Sequence, residues 1–162
     1  MPERSWVRKD MSIVMPSSRG SSYTIIGAIS EKLGLVHYHI FKGTNDGENF
    51  KHFISELVRK IKGVAYVYMD NYAVHKTLRV RDYFNENVQQ RFLPAYSCTL
   101  NPIERLWNVA KQKWGKRMLE KPEVMSEEEM LRELKEVMES LRDTSKRLAR
   151  SHVDHIIQVL GG

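Results

Sequence analysis

Two acidic residues stand where they can bind one metal ion together. Asp70 follows the apolar run Val64–Met69, which has the composition of a buried strand, and Glu104 lies in the first turn of a helix that begins near Asn101. Carboxylate oxygens, water and substrate phosphates are the ligands that Mg²⁺ prefers. In phosphoryl transfer such ions activate the nucleophile and stabilise the leaving oxygen. The pair predicts a divalent metal site acting on phosphate, although this chemistry usually uses three carboxylates.

Each acidic residue also has a structural interpretation, which the spacing alone leaves open. Asn101 and Glu104 fit the two ends of a capping box, in which the glutamate accepts a backbone N–H of the capping residue. Asp70 precedes Asn71, and Asp-Asn pairs are common where a strand turns. His75 is near enough in sequence to line the same site, or to be satisfied by a backbone group.

The other potentially reactive side chains show no pattern. His37, His39 and His52 have no spacing typical of a metal site, and Cys98 has no evident base. A single cysteine excludes an internal disulfide and fits a reducing compartment. The 162 residues, 41% hydrophobic and 28% charged, are typical of one globular domain. Neither a membrane span nor a secretion signal is expected.

Strands are predicted in the first two-thirds of the chain. Tyr23–Ser30 and Leu35–Phe41 are rich in β-branched and aromatic residues and flank a turn at Gly34, which predicts a hairpin. Val64–Met69 is apolar on both alternating faces, as in a central parallel strand. Two further short strands are predicted at Ile13–Met15 and Gln89–Leu93.

Helices are predicted from the 3.6-residue period of apolar residues. Asn45 and Glu48 fit a capping box at the start of the first helix, which Gly63 ends. Asn101 caps the helix that carries Glu104. Pro102 fits the first position of that helix, where its missing N–H costs nothing. Further helices are predicted at Lys76–Asn85, from Ser126 through Leu141, and at Ser151–Leu160. This order predicts an α/β fold, a mixed sheet flanked by helices, whose ligands gather at strand carboxyl ends.

Positive charge collects near both carboxylates. The net charge is +6 and the pI about 9.4. Lys and Arg side chains in such a cluster hold a phosphate backbone without reading its sequence. The candidate DNA-binding residues are Lys76, Arg79, Arg105, Lys111 and Lys113.

Two segments closely resemble transposases of the mariner-like group in the DDE superfamily. They are Tyr68–Lys76 (YMDNYAVHK) and Phe92–Trp107 (FLPAYSCTLNPIERLW), and the resemblance runs from about Trp6 to about Lys113. It implies a ribonuclease H-like catalytic core over residues 1–118. The tail over residues 119–162 is expected to be a helical extension packed on that core.

The resemblance implies a role for each site residue. Asp70 would be the second and Glu104 the third catalytic carboxylate, both binding Mg²⁺ or Mn²⁺, while Asn71, His75 and Asn101 line or brace the site. The implied reaction is hydrolysis of a DNA phosphodiester followed by attack of a 3′-hydroxyl on target DNA. The implied partners are transposon-end and target DNA. A homodimer is left open, and no membrane partner is expected. The expected location is intracellular, in a nucleus or a bacterial nucleoid.

The chain departs from the family pattern at the first strand. The family's first catalytic Asp lies on the central strand of the sheet, upstream of the region that Trp6 matches, so we expect an N-terminally truncated chain without that strand. Asp10 lies on the other side of Trp6 and is a poor substitute. Ile13–Met15, a strand from another chain, or residues of a longer protein would have to fill the slot, since unpaired strand edges are costly.

The missing carboxylate leaves two main functions open. One is a DDE transposase or integrase-type catalytic domain with little activity alone, because two carboxylates bind a metal pair poorly. The alternative is a non-catalytic DNA-binding or regulatory remnant of a transposase. An interaction module built on the C-terminal helices is a third hypothesis.

Overall fold

A mixed six-stranded sheet forms the centre of the computed structural model, which describes residues 3–7, 11–14, 22–43, 46–70, 78–94, 101–121 and 123–161. The strands are β1 (Glu3–Val7), β2 (Met11–Val14), β3 (Ser22–Ser30), β4 (Gly34–Lys42), β5 (Ala65–Met69) and β6 (Val88–Phe92). The helices are α1 (Gly47–Lys60), α2 (Leu78–Arg81), α3 (Ile103–Glu120), α4 (Glu127–Glu139) and α5 (Arg142–Gly161). None of these described helices has the length and hydropathy of a membrane span.

Strand β1 occupies the centre of the sheet. It pairs antiparallel with β3, where Val7 lies opposite Ala28, and parallel with β5, where Val7 lies opposite Met69. The described strands follow the order β4–β3–β1–β5–β6, and β2 pairs with the N-terminal half of β3. The hypothesis that Ile13–Met15 fills the central slot is therefore wrong. A different segment of this chain, β1, lies between β3 and β5.

The predicted β3–β4 hairpin is present, and its turn is packed against α5. Gly34 has a φ of +73°, in the left-handed region that favours glycine. A Cβ added there would lie 2.8 Å from both the backbone oxygen of Arg142 and Oγ of Ser145. Small residues on both sides therefore allow the helix to approach the turn directly.

Helix α1 covers one face of the sheet. Its N-cap is Asp46, whose carboxylate accepts the N–H of Asn49 at 2.8 Å, rather than the predicted Asn45, which lies outside the described residues. The helix ends at Lys60, before the predicted stop at Gly63. Its fully buried apolar residues, which pack on β3 and β5, are Phe50, Phe53, Ile54 and Leu57.

Helices α3, α4 and α5 cover the opposite face. One apolar cluster joins Trp107 of α3, Leu134 of α4 and Ala149 of α5 to Ile29 of β3. The cluster combines residues from both sides of position 118, so the sheet and the C-terminal helices share a core. The domain boundary at that position stays a prediction. Helix α5 begins well before the predicted Ser151.

A buried carboxylate links α3 to α4. Glu133 is 4% exposed, accepts a hydrogen bond from Nη1 of Arg117 at 2.6 Å, and is also contacted by Lys121. The hydrogen bond from Lys121, together with that from Arg117, lowers the pKa of Glu133 against the opposing effect of burial. Helix α4 starts with the predicted capping box, in which Ser126 and Glu129 exchange hydrogen bonds.

The predicted helix over Lys76–Asn85 ends earlier than expected. Its described part, α2, stops at Arg81, while its predicted start at Lys76 lies outside the described residues. The Oδ1 atom of Asn85 accepts the N–H groups of Asn87 and Val88, each at 2.9 Å, which favours a turn over a further helical residue. The chain then enters β6, which pairs parallel with β5 at the edge of the sheet.

Candidate active site

Asp70 is the first residue after β5. The strand alternates, with Met69 buried on the face that α1 covers and Tyr68 half-buried on the face that α3 covers. The backbone oxygen of Met69 accepts the N–H of Leu93 at 2.8 Å, so strand pairing continues to this point. Since successive strand residues face opposite sides, Asp70 follows Tyr68 onto the α3 side.

Glu104 lies in the first turn of α3 and is half-buried. The N-cap residue is Pro102, one position later than predicted, and no side-chain hydrogen bond caps the helix there. Because Pro102 has no N–H, Glu104 cannot complete a capping box with it. The backbone N–H of Glu104 instead donates to the carbonyl of the buried Asn101 at 3.3 Å.

The strand register defines the row of the sheet in which Asp70 lies. Met69, Val7 and Ala28 lie side by side on β5, β1 and β3. The next row along the sheet therefore has Asp70 on one side and Gly27 on the other. They are two strand spacings apart, about 10 Å.

Helix α3 rests on this same row. A Cβ added to Gly27 would lie 2.6 Å from the Trp107 ring and 3.6 Å from the Ile103 side chain, so the first turns of α3 sit over Gly27. Glu104 belongs to that first turn. The fold therefore brings Glu104 and Asp70 to the same face and the same level of the sheet.

The described residues supply two carboxylates to this site. Within that part of the chain, no third His, Cys, Asp or Glu completes a three-ligand cluster with Asp70 and Glu104. Asp10 lies outside the described residues. The other predicted site residues whose side chains are not described are Asn71, His75, Lys76 and Arg79.

The predicted basic residues of α3 divide between two sides of the helix. Arg105 and Lys111 are exposed, and Lys111 lies two turns after Glu104 on the same side. Lys113 is half-buried and its ammonium donates to Oγ of Ser140 at 3.1 Å, on the side that meets α4. Two of the three cations therefore remain accessible to an anionic partner near the carboxylates.

Arg91 is a cation on the same face of the sheet as Asp70, and sequence reasoning did not select it. It lies opposite Tyr68 on the edge strand β6, and its guanidinium stands 4.9 Å from the ring centroid of Tyr66. Tyr66, Tyr68 and Asp70 share one face of β5 by alternation, so Arg91 lies on the face of Asp70. Only the parallel pairing of β5 with β6 reveals this, because polar residues are also ordinary on an edge strand.

Sequence spacing also missed a cluster on the opposite side of the sheet. His39, His52 and Glu56 each offer a ligand atom, and these atoms lie within 4.8 Å of one another. His39 belongs to β4 and the other two to α1, so no linear motif contains all three. The available signal was the four-residue spacing of His52 and Glu56, which places both on one helix face.

Comparison with protein-family models shows which family the chain belongs to. A family model described as DDE superfamily endonuclease matches residues 1–126 of the 162. The chain belongs to this family. The match spans both motifs that resemble mariner-like transposases, so the prediction of the family is confirmed. No curated protein matches the sequence.

Solved structures show the fold of this DDE endonuclease chain. The Mos1 transposase catalytic domain with Raltegravir and Mg is 15% identical, with a TM-score of 0.64 over 92% of this chain and 76% of that one. The same domain with Mn is 16% identical, with a TM-score of 0.61 over 92% of this chain and 82% of that one. The Mos1 strand transfer complex is 14% identical, with a TM-score of 0.56 over 92% of this chain and 54% of that one. The predicted ribonuclease H-like α/β fold is confirmed.

Proposed function

We propose that this chain is a DDE transposase-type catalytic domain that acts on DNA phosphodiester bonds, with Mg²⁺ or Mn²⁺ held by Asp70 and Glu104. The observation that carries the proposal is the seating of α3 on Gly27. It brings the first turns of α3 onto the row of the sheet that contains Asp70, which supports a site with both carboxylates on one face. Carboxyl ends of strands are where ligands of such sheets bind.

The donor set fits a hard divalent cation. Asp70 and Glu104 supply carboxylate oxygens, and a site with two carboxylates leaves coordination positions for water and substrate phosphate. Both residues are half-buried, so each is partly shielded from water but still accessible to an ion. Structures of the Mos1 catalytic domain were solved with Mg and with Mn, which supports the same choice of ion here.

The chain's own residues would orient the DNA. When bound, the metal ion would activate the attacking oxygen and stabilise the leaving oxygen. Asp70, on a strand end, and Glu104, in a helix first turn, hold their carboxylates on rigid elements, as metal catalysis requires. Arg105 and Lys111 are exposed on the helix that carries Glu104, and Arg91 is exposed on the face of the sheet that carries Asp70, so all three suit contacts with backbone phosphates.

A second candidate function is DNA binding without cleavage. The observation that favours it is the lack, among the described residues, of a third ligand beside Asp70 and Glu104. Two carboxylates hold two close cations poorly, because the repulsion between the cations is less well compensated. The net charge of +6 would remain, so the protein would still bind DNA through its phosphates.

Metal-dependent nicking of supercoiled plasmid DNA tests the first candidate. We expect nicking with Mg²⁺ or Mn²⁺, and a loss of at least about 100-fold in Asp70→Asn and in Glu104→Gln. This is more than is usual when a residue that only hydrogen-bonds to a metal ligand is changed. Glu120→Gln is the matched control, because Glu120 is exposed in the last turn of the same helix. It should retain full activity.

Parallel measurements of DNA affinity separate the two candidates. Salt-dependent DNA binding without nicking in the parent protein, unchanged in Asp70→Asn and Glu104→Gln, would support the DNA-binding alternative. Nicking that persists in both variants would refute the assignment of the two carboxylates. Neither nicking nor DNA binding at low salt would reject both functions.

A further inference from the structure

Three potential metal ligands meet between β4 and α1, away from Asp70 and Glu104. The Nε2 atom of His52 lies 3.6 Å from Oε1 of Glu56, and the Nδ1 atom of His39 lies 4.0 Å from Oε2 of the same carboxylate. The rings of His39 and His52 meet edge to face, with centroids 5.4 Å apart. Two imidazoles and a carboxylate thus converge on one small volume.

The separations are close to those of a bound metal ion. Ligand atoms held tetrahedrally at about 2.0–2.1 Å from Zn²⁺ lie about 3.3 Å from one another. The three ligand atoms here lie within 4.8 Å of one another, so an inward shift of about 1.5 Å or less would close the site. The side chains of His39, His52 and Glu56 are 29%, 57% and 32% exposed, which leaves them room to rotate and an open path for an ion.

A supporting pair of residues orients the carboxylate. Nζ of Lys60 lies 2.8 Å from Nδ1 of His37, and Nε2 of His37 lies 3.0 Å from Oε2 of Glu56. An ammonium only donates, so Nδ1 of His37 accepts and its Nε2 carries the proton that is donated to Glu56. His37 also stacks on Phe53, with ring centroids 5.2 Å apart. Such outer hydrogen bonds are what fixes ligands in known metal sites.

We propose that His39, His52 and Glu56 form a binding site for a divalent transition-metal ion of the Zn²⁺ type, which ties the edge strand β4 to α1. Imidazole ligands select Zn²⁺ and its neighbours over Mg²⁺. The site lies on the α1 face of the sheet, whereas the carboxylate pair lies on the α3 face. The two sites therefore differ in both position and metal preference.

Three protein ligands leave a fourth coordination position. In known zinc sites an open position of this kind is taken by water or by a donor from another molecule. His52 is the most exposed ligand, so the open position faces solvent. Because the ligands come from β4 and α1, metal binding favours the folded state, in which these two elements are together.

Calorimetric titration of the full chain with Zn²⁺ tests the proposal. We expect one Zn²⁺ per chain and a higher Tm in its presence. His39→Ala, His52→Ala and Glu56→Gln should each weaken binding at least tenfold while keeping the far-ultraviolet circular dichroism of the parent. Since these side chains are partly exposed, the variants should fold. His155→Ala, which removes an exposed histidine of α5, should leave binding unchanged.

Replacement by Co²⁺ gives a second readout, because a four-coordinate Co²⁺ site with nitrogen ligands absorbs visible light. Binding that survives both histidine substitutions, or that is lost equally in His155→Ala, would overturn the proposal. Zn²⁺ binding that disappears in Asp70→Asn would also overturn it, since the ion would then occupy the carboxylate pair. Loss of DNA nicking in Asp70→Asn with intact Zn²⁺ binding would support two independent sites.

Discussion

Substitution of Gly27 tests the contact that positions the candidate active site. In Gly27→Ala the new Cβ would lie 2.6 Å from the Trp107 ring, whereas ordinary carbon contacts begin near 3.4 Å. The ring, and with it the first turns of α3, must move by about 0.8 Å, or the sheet must yield. Overpacking of this kind costs about 1–3 kcal/mol. For a domain of this size the Tm should fall by about 2–12 °C.

The same shift should impair catalysis more than the stability loss explains. Glu104 lies in the turn that Gly27 supports, and a misplacement near 1 Å can cost about 100-fold in rate. We therefore expect plasmid nicking by Gly27→Ala to fall at least about tenfold at a temperature where the variant is fully folded. Thermal melts followed by circular dichroism establish that temperature, and nicking is then compared with that of the parent protein.

Gly115→Ala is the matched control for this prediction. Gly115 lies in the middle of the same helix, and a Cβ added there meets no atom within 4 Å. The change should raise the free energy of unfolding by about 0.5–1 kcal/mol, because glycine is a poor helix former. If Gly27→Ala melted at or above the parent temperature while Gly115→Ala behaved as expected, α3 would not rest on β3 as described, and the proximity of Glu104 to Asp70 would lose its support.

Two further predictions concern charged residues of α3 and α4. Glu133→Gln should cost about 1–2 kcal/mol at pH 7, because Arg117 and Lys121 lose a buried charged partner. The folded-state pKa of Glu133 is lowered, so its stabilisation is present above the unfolded pKa and lost as pH falls through the folded one. Melts at pH 7 and about pH 3 should show a smaller difference between variant and parent at the lower pH, and an equal difference at both would contradict this. Lys111→Ala should weaken DNA binding and reduce the salt slope by about one. Lys113→Ala should lower Tm instead, because its ammonium contacts Ser140. An equal loss of DNA affinity in both variants would contradict the assignment of Lys111 and Lys113 to different sides of α3.

Local signals in the sequence predicted most elements that border the site. The hairpin around Gly34 depends on a turn residue and two β-rich segments, and Ser126 with Glu129 forms a capping box from adjacent positions. The motif around Asp70 and the one around Glu104 identified the family, because their flanking residues are specific. Each of these features is encoded within about twenty consecutive residues, so the sequence of a single segment is enough to predict it.

Features that depend on packing between distant segments could not be predicted from the local sequence. The buried face of the first half of α5 consists of small residues such as Ser145 and Ala149, so it lacks the large apolar stripe that signals a helix. Those small residues are needed because the helix lies against Gly34. His39 meets His52 and Glu56 only after β4 and α1 have packed together. Similarly, the composition of β1 predicts neither of its two neighbours in the sheet.

The position of β1 has a consequence for how the sheet assembles. Glu3 lies opposite Ala65 in the parallel ladder, so the chain between them must be gathered before these strands can pair. Closing a loop of about 60 residues costs on the order of 4 kcal/mol of chain entropy. The β3–β4 hairpin, whose partners are near in sequence, forms at a much smaller cost. The centre of this sheet should therefore form after its β3–β4 edge, and amide protons of β1 and β5 should exchange with solvent as one cooperative unit.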